Sequence, residues 1–423
     1  MAGRRRIPLR DHVDDAVALL AAVRGTEVIG LGAAAVGRVA AEDVRSRVDL
    51  PGLDDSQMDG YAVAAADLAD EHAEVTLPRG PMIAAGDAPG RLEPGTARPI
   101  MTGAPLPDGA DLVIPVEESG EGRFAAVEGA ALTSVVLRPA EVAPGRFVRR
   151  RGSDTRRGDT VLRAGRPLTP ARIAHLAACG LREVEVHAPV RVVVLSTGSE
   201  VRPAADGTPA PGIRHDANGP GIAAALTEAG AEVVHVGTVP DDPAVLLGRL
   251  REQVAAHDAD LVITSGGVSQ GAVEVVRLAA EHPGVVLAFP TLALQPGGPQ
   301  GIGTLEVGPR RVPWLALPGN PVSSLLSCEL IVRPALGAPD RRRLHLPLQL
   351  EGPEAVETSP EALDQYRRAR VLPSGTVRLL GGASSHLLGG YAAADALVRI
   401  PVGVGAVHDG DLLETLLIPG GES

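Results

Sequence analysis

The chain has 423 residues, 44% of them hydrophobic, and its 51 Gly and 37 Pro together stay below the ~25–30% that marks low-complexity sequence. This composition excludes a disordered chain and, at ~100–200 residues per domain, predicts two to four domains. A formal charge of −12 excludes the basic field of a nucleic-acid binder, although 40 residues are arginine and no lysine occurs anywhere.

The first helical pattern runs from Asp11 to about Val23, with Asp11 as the expected N-cap and Val13, Val17, Leu20 and Val23 at helical spacing. From Thr26 to Arg149, short β-rich runs are broken by Gly and Pro: Glu27–Leu31, Leu112–Val116 and Ala131–Leu137. They predict an all-β insertion. A second helix is expected between Thr169 and Gly180, opened by Pro170 and closed by Gly180.

At Arg191 the pattern changes. Arg191–Leu195 (RVVVL) is a continuous apolar run, as expected of a strand covered on both faces. A helix at Asn218–Ala229, a strand at Glu232–Val236, a helix at Pro243–Ala256 and a strand at Leu261–Thr264 follow. Further strands are expected near Val285–Phe289 and Val312–Leu317, the latter feeding a helix from about Val322. Repeated units of this length predict a doubly wound parallel α/β sheet with right-handed crossovers. After Pro334 the pattern returns to β: Leu344–Leu350, a hairpin from Tyr366 to Leu380 around Pro373-Ser374-Gly375, then Ala396–Ile400 and Leu412–Ile418. The chain thus reads as three zones: β-rich, α/β, then β.

Arginine triplets at Arg4–Arg6, Arg149–Arg151 and Arg341–Arg343 read as solvated faces. Cys179 and Cys328 lie far apart, without zinc-type spacing, and fit two buried thiols in a reducing compartment. No apolar h-region follows the basic N-terminus, and no apolar run approaches the ~20 residues of a membrane helix. The expectation is a cytoplasmic protein that engages neither membrane nor nucleic acid.

In an open parallel sheet, ligands bind beyond the carboxyl ends of the strands. Three such ends run into distinctive loops: Ser196-Thr197-Gly198-Ser199-Glu200, Ser265-Gly266-Gly267-Val268-Ser269 and Pro318-Gly319-Asn320-Pro321-Val322-Ser323. Glycines allow close backbone approach, and helix N-termini offer N–H groups to an anion, so three loops on one sheet favour a phosphate-bearing or nucleotide-like ligand. A second group is acidic. Asp54, Asp55 and Asp59 fall in one stretch, Asp154 in RRGSDTRRGD, and Glu200, Asp216 and Glu274 just after strand ends. Carboxylates beside an anion pocket imply a bridging cation, for which Mg²⁺ is the usual oxygen-liganded choice. The alternative is that Asp55 and Asp216 cap turns or helices. No nucleophile constellation stands out, and lone histidines such as His187 and His235 read as packed or surface residues.

From about Pro8 to Leu417 the sequence resembles the MoeA/gephyrin-type molybdopterin molybdenumtransferases. The resemblance rests on DDSQMDGYAV (Asp54–Val63), MTGAPLPDGAD (Met101–Asp111), RRGSDTRRGD (Arg150–Asp159), LSTGSEV (Leu195–Val201), ITSGGVSQG (Ile263–Gly271) and LPGNPVSS (Leu317–Ser324), in that order. It implies four domains: a helical linker region over 1–50 and 145–188, a β-rich insertion over 51–144, a molybdopterin-binding α/β domain over 189–334 and a C-terminal β-barrel-like domain over 335–423. It also implies a homodimer whose active site lies between the α/β domain of one protomer and the insertion of the other. The implied reaction takes adenylyl-molybdopterin, supplied by an upstream molybdopterin adenylyltransferase, inserts molybdenum from molybdate and releases AMP with Mg²⁺.

Carried onto this chain, the resemblance implies catalytic roles for Asp59, Asp154, Glu200, Asp216 and Glu274. Asp59, Glu200, Asp216 and Glu274 would be metal ligands. Thr102, Ser265, Gly266, Gly267, Ser269, Pro318, Gly319, Asn320 and Pro321 would hold the pterin and its phosphates. The chain departs from the family's usual acids at Ser153, Ser199 and Ala272, and carries Glu274 where Asp is commoner. Leu294–Pro299 (LQPGGP) corresponds to a segment that often reads KPGKP, so Gln295 and Gly298 replace two anion-facing lysines. The retained carboxylates point to a molybdenum insertase; the missing lysines point to the alternative, a catalytically impaired molybdopterin-binding scaffold. The preceding adenylyltransferase step ranks behind both, since it needs neither the insertion nor the C-terminal domain.

Overall fold

The apolar run at Arg191 and those after it become neighbouring strands of one sheet. The computed structural model describes residues 6–68, 73–124, 133–204, 210–269, 274–352 and 355–420. Contacts group the chain into two units, one formed by Met1–Glu27, Gly37–Val39 and Val186–Ser423 and the other by Val28–Val36 and Ala40–Glu185.

In the first unit the elements are β1 (Arg191–Thr197), α1 (Asn218–Glu228), β2 (Glu232–Val239), α2 (Pro243–His257), β3 (Leu261–Ser265), α3 (Val275–Ala279), β4 (Val285–Ala288), β5 (Gly301–Val307), β6 (Arg310–Leu317) and α4 (Pro321–Ser327). The strand order is β2-β1-β3-β6-β5-β4. Strands β2, β1, β3 and β6 are mutually parallel, and alternate side chains enter different cores. Val192, Val194, Ile263 and Leu315 fill one face, whereas Val193, Leu195, Val262 and Trp314 fill the other. Burial on both faces is the physical reason these strands read as unbroken apolar runs.

The expected parallel sheet carries antiparallel strands at one edge. The strand β5, absent from the expected set, runs antiparallel to both β6 and β4. Only Gly308-Pro309 separates the paired residues Val307 and Arg310, with Gly308 at φ 58°. So short a connection can only return the chain antiparallel to its neighbour.

Helix starts follow local chemistry. Asp242 Oδ1 accepts from the N–H groups of Ala244 at 2.8 Å and Val245 at 3.0 Å, capping α2 ahead of Pro243. The N-terminal helix spans Leu9–Ala21 with Pro8 at the N-cap position. Asp11, expected to cap it, lies instead in the first turn, where its charge complements the helix dipole. Ala16 and Leu20 of this helix are buried in the same core as β1.

The same unit carries a second, mostly antiparallel sheet in the order Leu294–Gln295, Asp364–Val371, Ala396–Ile400, Leu412–Leu417, Arg343–Pro347. The expected hairpin pairs Asp364–Val371 with Val377–Leu379. Leu294–Gln295 joins this sheet from inside the α/β zone, pairing in parallel with Asp364–Gln365.

In the second unit, Gly60–Val63 lies between Arg98–Ile100 and Leu112–Pro115 in a three-stranded antiparallel sheet. Val75–Pro78 pairs with Ser134–Leu137; the start of the expected strand Ala131–Leu137 lies outside the described residues. The expected helix spans Pro170–Ala178, with Thr169 Oγ1 accepting from Arg172 N at 3.3 Å and Gly180 at φ 79° just beyond its end. Among the described residues, no helix is long and apolar enough to cross a membrane.

Candidate functional site

Register brings three loops together. Ser196 of β1 sits opposite Ser265 of β3, and Ser265 sits opposite Leu317 of β6, so the three parallel strands end level with one another. The loops beyond them line a cleft of about 470 Å³. Of the expected residues, Glu200, Gly266, Gly267, Ser269, Glu274, Pro318, Gly319 and Asn320 line it.

The loops approach backbone to backbone. Gly266 has φ 97°, and a Cβ there would lie 2.5 Å from Thr197 Oγ1 and 3.0 Å from Thr197 O. A Cβ on Gly319 would come within 3.3 Å of Gly266 Cα. Ser265 is buried behind the cleft, its Oγ 3.1 Å from Pro318 O and 3.2 Å from Ser324 Oγ. Asn320 Oδ1 accepts from Val322 N at 3.0 Å and Ser323 N at 3.2 Å, and Pro321 takes the first position of α4. Asn320 therefore lines the cleft and also fixes the helix behind it.

The acidic residues divide by environment. Glu274 Oε2 accepts from Ser269 N at 3.0 Å, which ties two expected residues across the loop that follows β3. Residues 270–273 between them, and with them Ala272, lie outside the described residues. Glu200 is exposed on the opposite loop. Asp216 is buried, and its Oδ1 accepts from Ser196 Oγ at 2.9 Å, Asn218 N at 3.0 Å and Gly219 N at 2.9 Å. It caps α1 and is not part of the cleft lining.

Two lining residues escape sequence reasoning. Asp241 Oδ2 accepts from Ser199 N at 2.9 Å, while Ser199 Oγ accepts from Asp241 N at 3.1 Å. Asn218 donates from Nδ2 to Gly319 O at 2.8 Å, and its Oδ1 is buried without a hydrogen-bond partner. The only signal available for either was its place just beyond a strand end.

In the second unit, Asp59 immediately precedes Gly60–Val63 and Thr102 closely follows Arg98–Ile100. Pairing of Gly60 with Ile100 brings them together, and Asp59 Oδ1 accepts from both Thr102 N at 2.7 Å and Thr102 Oγ1 at 2.8 Å. Asp59 and Asp154 are both exposed. The Arg149–Arg151 triplet is not merely a solvated face: Arg149 pairs with Asp55 at 2.8 Å, Arg150 with Asp54 at 2.6 Å and Arg151 with Asp49 at 2.6 Å. The Arg151 N–H and the Arg150 guanidinium hold the Asp54 carboxyl below its ordinary range. Arg341 pairs with Glu329 at 2.7 Å, and Arg343 with Glu414, whereas Arg4 and Arg5 lie outside the described residues.

Among the described residues, no three of His, Cys, Asp and Glu converge closely enough to hold a metal ion. Of the expected ligands, Glu200, Asp216 and Glu274 belong to the first unit and Asp59 to the second. The LQPGGP loop is fixed from both sides. Gln295 Oε1 accepts from Gln365 Nε2 at 2.8 Å, and buried Gln300 donates to Gly297 O at 2.7 Å and Ser327 Oγ at 2.8 Å. Pro299 lines both the cleft and a second pocket of about 480 Å³.

Residues 7–180 match the family described as MoeA N-terminal region (domain I and II), and residues 193–338 match a probable molybdopterin binding domain. The chain is 42% identical over 394 residues to molybdopterin molybdenumtransferase 2 of Mycobacterium tuberculosis (strain ATCC 25618 / H37Rv), covering 90% of this chain and 92% of that one. It is 33% identical over 371 residues to the molybdopterin molybdenumtransferase of Synechococcus elongatus, covering 86% and 88% of the two chains. The crystal structure of the molybdopterin biosynthesis MoeA protein from Pyrococcus horikoshii OT3 superposes with a TM-score of 0.77 at 25% identity, covering 98% of this chain and 100% of that one.

Proposed function

The chain belongs to the MoeA family of molybdopterin molybdenumtransferases, and from that premise we propose that it inserts molybdenum from molybdate into adenylyl-molybdopterin with release of AMP. The observation that carries the proposal is the cleft at three level strand ends, inside the segment matched by the molybdopterin-binding family. Loop N–H groups around Gly266, Gly267 and Gly319 would face the pyrophosphate, where fixed dipoles stabilise negative charge without reorganisation. Ser269, held by Glu274, and Asn320, held by its cap, would fix the shape of that cradle.

Among the described residues there is no all-protein Mg²⁺ cage, but Mg²⁺ is commonly held by one or two carboxylates together with substrate phosphates. Glu200 and Glu274 both line the cleft and would be that pair. There the ion would neutralise charge on the pyrophosphate. Asp216, committed to the α1 cap, would act by positioning the cleft wall and through its charge.

No protein nucleophile is assigned. Water would attack phosphorus of the phosphoanhydride, the P–O bond to the adenylyl group would break, and AMP would leave. Asp59, oriented by Thr102, and Asp154 would face the reacting group of a partner protomer in a homodimer built from the four domains expected above. The chain would work in the cytoplasm and receive its pterin substrate from the adenylyltransferase upstream. Incubation with adenylyl-molybdopterin and Mg²⁺, with and without molybdate, tests the proposal. Molybdate-stimulated AMP release is expected; saturable pterin binding with no such release would refute it.

A further inference from the structure

We propose that Arg6 supplies the positive charge that binds a tetrahedral dianion in the pocket beyond Pro299, with molybdate the dianion that the proposed reaction consumes. This rests on the molybdenum-insertion reading and names the residue that would replace the missing lysines.

The pocket's chemistry favours an oxyanion. Hydroxyl side chains at Thr291, Ser323, Ser384 and Ser385 and the amide of Gln295 are in its lining, and among the described residues Arg6 is the one charged lining residue. Among the described residues no carboxylate lines it, in a chain of net charge −12. The Gln295 oxygen is engaged by Gln365, so the group it has left to offer a ligand is its NH₂ donor. Such donors alone bind a dianion weakly; a guanidinium roughly doubles the strength of each hydrogen bond it makes.

The position of Arg6 is set by backbone pairing. Ile7 N donates to Thr291 O at 3.0 Å, and Ala293 N donates to Ile7 O at 2.8 Å. This two-bond clamp places Arg6 beside the segment that leads into Gln295. Arg6 pairs with no carboxylate among the described residues, so its charge is available to a ligand.

A second observation concerns two arginines that do not line the pocket but hold the segment leading into its Ala383–Ser385 lining. Arg367 and Arg368 are each 2% exposed and donate to the carbonyls of Gly381 and Gly382, immediately before Ala383–Ser385. Arg367 is matched by Glu357 at 3.1 Å. Arg368 has no carboxylate partner among the described residues, and its Nε is buried without a hydrogen-bond partner. A buried cation lacking a counter-charge is unfavourable unless an anion comes near, so the fold itself biases this region toward anions.

The test uses the full-length protein. Arg6→Ala, Arg6→Lys and the double variant Arg6→Ala/Gln295→Lys are compared for binding of molybdate alone by calorimetry and of adenylyl-molybdopterin by fluorescence. Arg6→Ala should weaken molybdate binding about 10- to 100-fold and leave pterin affinity and Tm unchanged; the other two variants should recover most of the loss. Molybdate affinity within twofold of wild type in Arg6→Ala, or a parallel loss of pterin affinity, would overturn the proposal. Because molybdate is measured without pterin, failure of AMP release in the wild type would refute the insertion reading and leave the Arg6 result to be judged on its own.

Discussion

Thr102 donates both its backbone N–H, at 2.7 Å, and its hydroxyl, at 2.8 Å, to a single oxygen of Asp59. The two residues lie far apart in sequence and meet because Gly60 and Ile100 are paired neighbours in the insertion sheet. Two donors on one oxygen fix the orientation of an exposed carboxylate, which an exposed Asp would otherwise lack.

Asp59→Asn should therefore lower molybdate-dependent turnover at least ~100-fold, the scale of losing one preorganised electrostatic group, with an unchanged melting temperature. Thr102→Val keeps the N–H and loses the hydroxyl, so a smaller loss of roughly five- to tenfold is expected. Steady-state AMP release and thermal melts check both. Equal effects of the two substitutions would contradict the orienting role.

Asp216 holds α1 and also contributes negative charge behind the cleft. Asp216→Ala should destabilise the protein by about 1–2 kcal/mol through loss of the cap. Asp216→Asn retains an oxygen for the Ser196, Asn218 and Gly219 donors and should melt near wild type, yet lose at least ~10-fold in turnover because the charge is gone. Denaturant unfolding together with AMP release separates these effects. Full activity in Asp216→Asn would reduce Asp216 to a cap.

If Asp59 of one protomer serves the cleft of another, two inactive variants should complement. Asp59→Asn and Glu274→Gln, each inactive alone, should on subunit exchange regain about a quarter of wild-type activity per dimer at statistical mixing. This is measured by mixing after brief mild denaturation. No recovery, with heterodimer formation confirmed, would place both residues in one chain's site.

His12 is buried on the Leu9–Ala21 helix, and desolvation depresses its pKa from 6.5 to about 4. The unfolded chain takes up the proton first, so this group's stabilisation is present above pH 6.5 and is lost as pH falls toward 4. At pH 5 the loss amounts to about 2 kcal/mol. His12→Leu should narrow the difference in unfolding free energy between pH 7 and pH 5 by that amount. An unchanged difference in denaturant titrations at the two pH values would contradict the buried neutral imidazole.

Sequence legibility followed the range of the interactions. The runs at Arg191–Leu195 and Leu261–Thr264 announced strands because both their faces are buried, and the three loops beyond β1, β3 and β6 pointed to the cleft. The hairpin β5–β6 leaves no continuous apolar block in the sequence because β5, GIGTLEV, has a partly exposed face, although Gly308-Pro309 is a turn signal. Long-range pairings left no local trace. Neither the partnership of Asp241 with Ser199 nor the matching of Arg149–Arg151 to Asp55, Asp54 and Asp49 could be read from spacing. The same holds for Arg6: no arginine stands between Leu294 and Gly303, and the pairing of Ile7 with Leu292 brings Arg6 beside that segment.

The most direct test is a single-turnover experiment with adenylyl-molybdopterin, Mg²⁺ and labelled molybdate, following AMP and pterin-bound molybdenum together. One AMP should appear for each molybdenum transferred, at the same rate and only when molybdate is present. AMP release that ignores molybdate, or molybdenum that never reaches the pterin, would contradict the proposed insertion.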